Sequence, residues 1–261
     1  MLYLIDPPAL GGEVGKVKPI DVVQNELICV TQMTKMKKCL VIASTYREIE
    51  PFMKAYREDM SKWEDRLEID VLVTGVGLTA TTYSLARQVS LKRPDLVIQA
   101  GIAGSFDKKI KPGSVHIVSD DCIGDEMVID GRKLFTVFDL GLRKKDHPPY
   151  RNEWLKNPHR DLLKLAGMNS VKAISVNQIN TDKKTIRILR KKYKASLESM
   201  EGAALHLVCL CENLPFLQVR AVSNVVGERR KEKWKLGKSV SALNKTILGL
   251  LDKLAIQKQN P

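Results

Sequence analysis

Aromatic residues are scarce in this chain, 5% of 261 residues, and histidines number four. His116, His147, His159 and His206 fall at no spacing that metal ligation uses, so the sequence implies neither a metal nor an organic cofactor. Cysteine is sparse and odd in number, five at positions 29, 39, 122, 209 and 211, which predicts free thiols in a reducing cytoplasm and not a disulfide framework. Cys209 and Cys211 sit two apart on an expected helix, so their thiols face different ways, and a buried structural role is expected for Cys209 or Cys211. Long apolar runs are missing too: none nears the ~18 residues of a membrane span. The start does not read as a secretory leader, because Asp6-Pro7-Pro8 interrupts the first apolar residues.

Positive charge is what the chain has in excess. Lys and Arg total 43 against 30 acids, a net charge of +13. Lys183–Lys194 holds seven basic residues and no acid; Arg229–Lys238 holds six and one acid. Ile186, Leu189 and Tyr193 recur at helical spacing in the first run, so it reads as an amphipathic helix with a solvated basic face. Such charge suits a plain soluble surface, an anionic substrate or nucleic acid. A nucleic-acid-binding protein is the non-enzymatic alternative, yet only Tyr193 and Trp234 punctuate the basic runs and no helix-turn-helix or RNA-binding signature is present.

Residues 1–35, with Gly11-Gly12 and weak periodicity, read as an extension, poorly packed or upstream of the natural start; residues 36–258 read as one domain. Beyond it, strands and helices alternate. Strands are expected at 39–43, 69–74, 96–100, 171–176 and 216–222, with short ones between 115 and 137; helices at 48–57, 78–91, 183–194, 201–212 and 239–254. This pattern predicts an α/β fold, a single-domain three-layer α/β/α arrangement around a mixed, largely parallel twisted sheet. Residues 144–158 read as a long polar loop.

Two strands run into glycine. Gly75-Val76-Gly77-Leu78-Thr79-Ala80 fits the dinucleotide pattern G-x-G-x-x-G/A, and Gly101-Ile102-Ala103-Gly104 follows a later strand. The acid that should hold the ribose is misplaced, since Asp95 opens its strand instead of ending it. Both turns nevertheless allow a ligand close to the backbone. Glu48, Glu201 and Asn224 also fall at strand ends, where open α/β sheets bind ligands. Taken singly, each has a structural explanation as a helix-start acid or a turn amide.

Taken together they carry a resemblance. Pro94–Phe106 (PDLVIQAGIAGSF), Ser199–Cys211 (SMEGAALHLVC) and Pro215–Asn224 (PFLQVRAVSN), in order, resemble the nucleoside phosphorylase and nucleosidase superfamily from Leu40 to about Leu254. Within it the chain is similar to the methylthioadenosine/adenosylhomocysteine nucleosidases. It is more similar to the futalosine hydrolases of menaquinone synthesis, which share an Asn and a basic, Trp-containing segment like Ser223–Trp234. The resemblance implies hydrolysis of a purine N-glycosidic bond, releasing hypoxanthine and dehypoxanthine futalosine. Glu48 would hold and deprotonate water, Arg220 would support its network, and Met200 with Glu201 would bind ribose. Gly77, Ala103, Gly104 and Ser223 join the substrate-binding set, as do Asn177, which would hold Glu201 or the base, and Ile179, where relatives stack a phenylalanine. Adenine-releasing relatives have an aspartate where this chain has Asn224; a carboxamide can donate to an O6 and accept from a protonated N7, which suits a 6-oxopurine. Other purine nucleosidases and a nucleoside phosphorylase remain alternatives; Ser44–Glu48 lacks the glycine-rich anion turn, though Arg47 is available. Arg151, Lys156, Arg229 and Lys233 are candidates for a substrate carboxylate, and a homodimer or higher homo-oligomer is implied.

Overall fold

The structure is a computed structural model that describes residues 38–64, 66–131 and 133–256; the expected extension at 1–35 lies outside these residues. Apolar runs form its strands: β1 (Lys38–Ala43), β2 (Glu68–Val73), β3 (Leu96–Ser105), β4 (Val115–Asp121), the hairpin β5 (Met127–Asp130) and β6 (Lys133–Thr136), β7 (Leu155–Lys156), β8 (Ser170–Ser175), β9 (Leu197–Ser199) and β10 (Phe216–Val225). The helices are α1 (Tyr46–Glu58), α2 (Ser61–Glu64), α3 (Leu78–Leu91), α4 (Arg160–Ala166), α5 (Lys183–Tyr193), α6 (Gly202–Cys211) and α7 (Leu236–Ile256). Among the described residues no helix is long and apolar enough to cross a membrane.

The mixed α/β character holds and five of the eight pairings in the main sheet are parallel, but the sheet is less uniformly parallel than expected and part of it closes on itself. Three of the eight pairings in the main sheet are antiparallel, β10–β4, β3–β9 and β4–β7. Strands β10, β4, β8, β9 and β3 moreover close on one another in a ring, with β1 and β2 extending from β3. The short strand β9 makes the closure by pairing with both β8 and β3, and its three residues gave too short a period to be read from sequence. The second glycine segment is not a turn either: β3 continues through Gly101 and Gly104 to Ser105. The supposed loop at 144–158 contains β7 and buries Tyr150 and Leu155.

Two apolar layers flank the strands. Phe52 of α1, Leu162 of α4 and Leu243, Ile247 and Leu251 of α7 pack on Val41, Ile98 and Val219. On another side, Leu85 of α3 and Leu205 and Cys209 of α6 pack on Leu40, Val97 and Phe216. Helix α5 buries only Leu189 and Tyr193 and leaves Lys183, Lys184, Arg187, Arg190 and Lys191 exposed, the amphipathic arrangement its spacing predicts.

Two buried polar connections fix the helix starts. Pro51 lies within α1, and its ring loosens the helical ladder there. Asn244 of α7 enters that gap, donating to the Glu48 carbonyl at 2.8 Å and accepting from the Phe52 N–H at 2.9 Å. Beneath α6, Ser175 Oγ accepts from the Ala203 N–H at 2.8 Å and donates to Asp121 at 3.0 Å, while Gln218 donates to the other Asp121 oxygen at 3.0 Å. These bonds satisfy an otherwise orphaned helix N–H and so set the position of Glu201, which caps α6.

Burial pushes the Asp121 carboxyl up to about 7, against the pull of Gln218, Arg220 and Ser175. Its folded value exceeds its unfolded one, so its contribution to stability is complete below pH ~4 and is lost as pH rises through ~7. Thermal melts of Asp121→Asn and the wild type should show the variant gaining on the wild type by several degrees between pH 4 and pH 7. A constant gap across that range would contradict this account.

Candidate active site

A cavity of about 590 Å³ opens where β1, β3, β9 and β10 end, within the size range of small-molecule sites. Its wall includes Ser44, Thr45, Glu48, Ile102, Ala103, Gly104, Met200, Glu201, Ser223 and Asn224. Residues from opposite ends of the sequence thus meet in one place.

Glu48 sits in the first turn of α1 and reaches back to its start. Its Oε2 accepts from the Ser44 hydroxyl, from the Thr45 N–H at 3.0 Å and from the Thr45 hydroxyl at 3.0 Å; Oε1 accepts from the Ile102 N–H at 3.1 Å. The helix-start acid is therefore also the cavity acid. One carboxylate does both jobs because the capping bonds orient it toward β3.

Glu201 is 5% exposed. Its Oε1 accepts from the Gly77 N–H at 3.2 Å and its Oε2 faces Arg220 Nη1 at 3.5 Å. Burial raises its carboxyl above the usual range, Arg220 opposes that, and Glu48 adds to it. The dinucleotide-like turn therefore spends its last glycine N–H on a side chain. Arg220 is 1% exposed, donates to Gln99 at 2.8 Å, and lies beneath the cavity without lining it. Gly101 is what admits the guanidinium: a Cβ there would overlap Arg220 Nη1 and stand 3.6 Å from Glu48 Oε1.

Asn224 owes its direction to a bulge. Val222 pairs with Ala103 and Asn224 with Gly104, so Ser223 is the extra residue. Ser223 donates to Asn224 Oδ1 at 2.7 Å, and Asn224 Nδ2 donates to the Val225 carbonyl at 2.9 Å. The amide keeps one free hydrogen and one free lone pair.

Several expectations fall elsewhere. Ile179 lines the cavity, but Asn177 is exposed and outside its wall, with its N–H held by Asp125, and Glu201 is held by Gly77 and Arg220 instead. Of the basic candidates Arg151, Lys156, Arg229 and Lys233, none lines the cavity. Lys233 and Arg230 turn to Glu228, whose carboxyl they and its hydrogen bonds hold down at about 2. Arg47 is the one cation in the wall among the described residues. Sequence reading missed Glu198 and Glu228 in the wall and singled out the segment of Trp234 without assigning that side chain a role; Trp234, whose indole donates to the Glu228 carbonyl at 2.9 Å, is the one aromatic in the wall among the described residues. The described residues contain no group of three or more His, Cys, Asp or Glu placed to hold a metal ion.

The family model of the phosphorylase superfamily matches residues 45–254, and the chain belongs to that superfamily. Futalosine hydrolase of Thermus thermophilus is 26% identical over 184 residues, covering 69% of this chain and 80% of that protein. A 5'-methylthioadenosine/S-adenosylhomocysteine nucleosidase of Buchnera aphidicola is 22% identical over 185 residues, 67% of this chain and 75% of its own length. In three dimensions, futalosine hydrolase of Helicobacter pylori matches with a TM-score of 0.68 at 18% identity, covering 84% of this chain and 98% of that one. The relatives are by name a hydrolase and a nucleosidase, and the chain is an enzyme of that kind.

The crowding around Gly101 gives a test of this geometry. Gly101→Ala should cost about 1–3 kcal/mol of stability, the usual penalty of overpacking, because a displaced Arg220 would lose its bonds to Gln99 and Glu201. Urea unfolding measures it; an unchanged midpoint would mean that the guanidinium is free to move.

Proposed function

We propose that the protein hydrolyses the N-glycosidic bond of a purine nucleoside, with futalosine as substrate and hypoxanthine as the base released. The observation that carries the reading is the convergence of Glu48, Glu201 and Asn224 on one cavity. In the reaction, water oxygen joins C1′ and one of its protons passes to Glu48. The C1′–N9 electron pair leaves with the base, which is protonated from solvent. The sugar becomes oxocarbenium-like on the way, and buried acids beside it stabilise that positive charge. Glu201 accepts from a ribose hydroxyl, while Met200 supplies the apolar side of the ribose site. Arg220 keeps Glu201 in place from beneath, a positioning role and not contact with water. Ala103, Gly104 and Ser223 let the base approach the backbone, and Asn224 donates to O6 and accepts from N7–H.

Hydrolysis is favoured over phosphorolysis by the wall itself: Glu228 is engaged by Arg230 and Lys233 and Glu201 by Arg220, but Glu48 and Glu198 have no ion-pair partner among the described residues, and Arg47 is the one cation in the wall. A phosphate dianion would meet net negative charge there. Arg47 is the cation placed to meet the carboxylate of futalosine's tail. Val76, which lines the cavity and is 55% exposed, and Tyr83, 67% exposed, support the further proposal that a second copy of the chain covers this side.

Base release from futalosine, aminofutalosine, methylthioadenosine and inosine, with and without phosphate, tests the reading. Futalosine should be cleaved fastest and without phosphate; strict phosphate dependence, or a large preference for the 6-amino compounds, would overturn it. Glu48→Gln should lower kcat by about 10²–10⁴-fold while the protein stays folded by circular dichroism, and an active variant would remove Glu48 from the base role.

A further inference from the structure

The two basic runs are separate in the sequence and adjoin in the fold. Lys183, Lys184, Arg187, Arg190 and Lys191 on α5, and Lys194 at its end, are exposed, and none has an acid at ion-pair distance among the described residues. With 3.6 residues per turn, these six positions fall within about a third of the helix circumference, a single stripe. Lys192 points elsewhere, to Asp139 and Glu153. On its inner side α5 buries Leu189 and Tyr193, and Ile186 packs in the same apolar cluster as Val226. The approach is close: a Cβ on Gly227 would stand 2.6 Å from Ile186 Cδ1. That contact brings the second run against the first. Arg229 and Lys231 follow it directly, exposed and without an ion-pair partner among the described residues, while Glu228 retains Arg230 and Lys233.

We propose that α5, with Arg229 and Lys231 beside it, binds a nucleic-acid strand through its phosphates without reading its sequence. The two aromatics that punctuate the basic runs offer no platform for bases here, since Tyr193 is buried and Trp234 lines the cavity. What the surface presents is a row of cations on long stems, which suits a phosphodiester backbone and carries no sequence information. The absence of a base-reading signature from the chain is consistent with such a surface. A phospholipid surface is the competing polyanion. A helix that settles into lipid needs an apolar face free to enter it, and the apolar face of α5 is turned into the protein. The stripe is also linear, eleven residues and about 16 Å long, a shape that follows a strand. None of these cations lines the cavity, so binding here is independent of nucleoside cleavage.

Fluorescence anisotropy of a labelled, mixed-sequence DNA or RNA strand of about 20 nucleotides, titrated with the full chain between about 50 and 200 mM salt, tests this. The wild type should bind with a steep salt dependence, and scrambling the sequence should leave the affinity unchanged. Arg187→Gln/Arg190→Gln/Lys191→Gln should weaken binding about 10–100-fold near 0.1 M salt and lower the log–log salt slope by about 2, at roughly 0.7 for each lost phosphate contact. Lys54→Gln/Arg57→Gln/Arg87→Gln removes the same charge from exposed positions of α1 and α3 and should change the affinity by no more than about 3-fold. Circular dichroism checks that both variants are folded, and both should release base from nucleosides at the wild-type rate. Equal losses in the two variants, no binding by the wild type, or binding of phosphatidylserine vesicles without binding of the strand would overturn the proposal. A wild type that binds the strand in this way and cleaves no nucleoside would sink the hydrolytic reading and leave this surface standing.

Discussion

One buried guanidinium organises the centre of this molecule. Arg220 lies on β10 beneath the cavity, almost wholly removed from water, and a charge in that position has to be paired. Gln99 on β3 and Glu201 at the start of α6 are its partners, and Gly101 leaves the space through which it passes. Three elements distant in sequence are thereby locked to a single planar group. The pairing also leaves a residue of charge: with Glu48 close by and only one arginine for two acids, the local balance is negative. On the proposed mechanism that surplus faces the carbon that becomes positive.

The polar groups of the cavity were legible in the sequence because of where they fall. Glu48, Glu201 and Asn224 follow apolar runs at the points where an α/β chain turns from strand to helix or loop, and the structure brings all three to one cavity. What holds them was not legible. The Ser223 bulge that aims Asn224 depends on the pairing of β10 with β3, which no local period encodes. The clamp of Asn244 on α1 joins residues 192 and 196 positions apart. Glu198 was hidden for a related reason: as the middle residue of a three-residue strand it has no pattern of its own, and only closure of the ring turns it inward.

The same limit explains the error over the basic segment after β10. From sequence, six basic residues between 229 and 238 stand next to Asn224 and invite a role in binding an anion. In the fold, Glu228 draws Arg230 and Lys233 to itself, and the segment offers Trp234, Leu236 and Gly237 to the cavity instead. Proximity along the chain gave the right segment and the wrong side chains. Charge counted over ten residues does not reveal which cations an adjacent carboxylate has already engaged.

The net charge and the cavity accordingly act at different ranges. The solvated lysines and arginines of α5 and the rest of the +13 surplus produce a field that draws anions toward the protein, effective over roughly a Debye length of 8–10 Å. In the cavity wall Arg47 is the one cation among the described residues, and Glu48 and Glu198 have no ion-pair partner there. A small compact anion such as phosphate would be attracted to the surface and repelled at the reaction centre. A molecule with its anionic group at one end and a neutral nucleoside at the other meets no such conflict, because its charge can stay at the rim while the sugar enters among the glutamates. On the proposed mechanism, the unpaired glutamates of the wall favour water over phosphate as the nucleophile, and Arg47 favours a nucleoside whose anionic group lies away from the sugar.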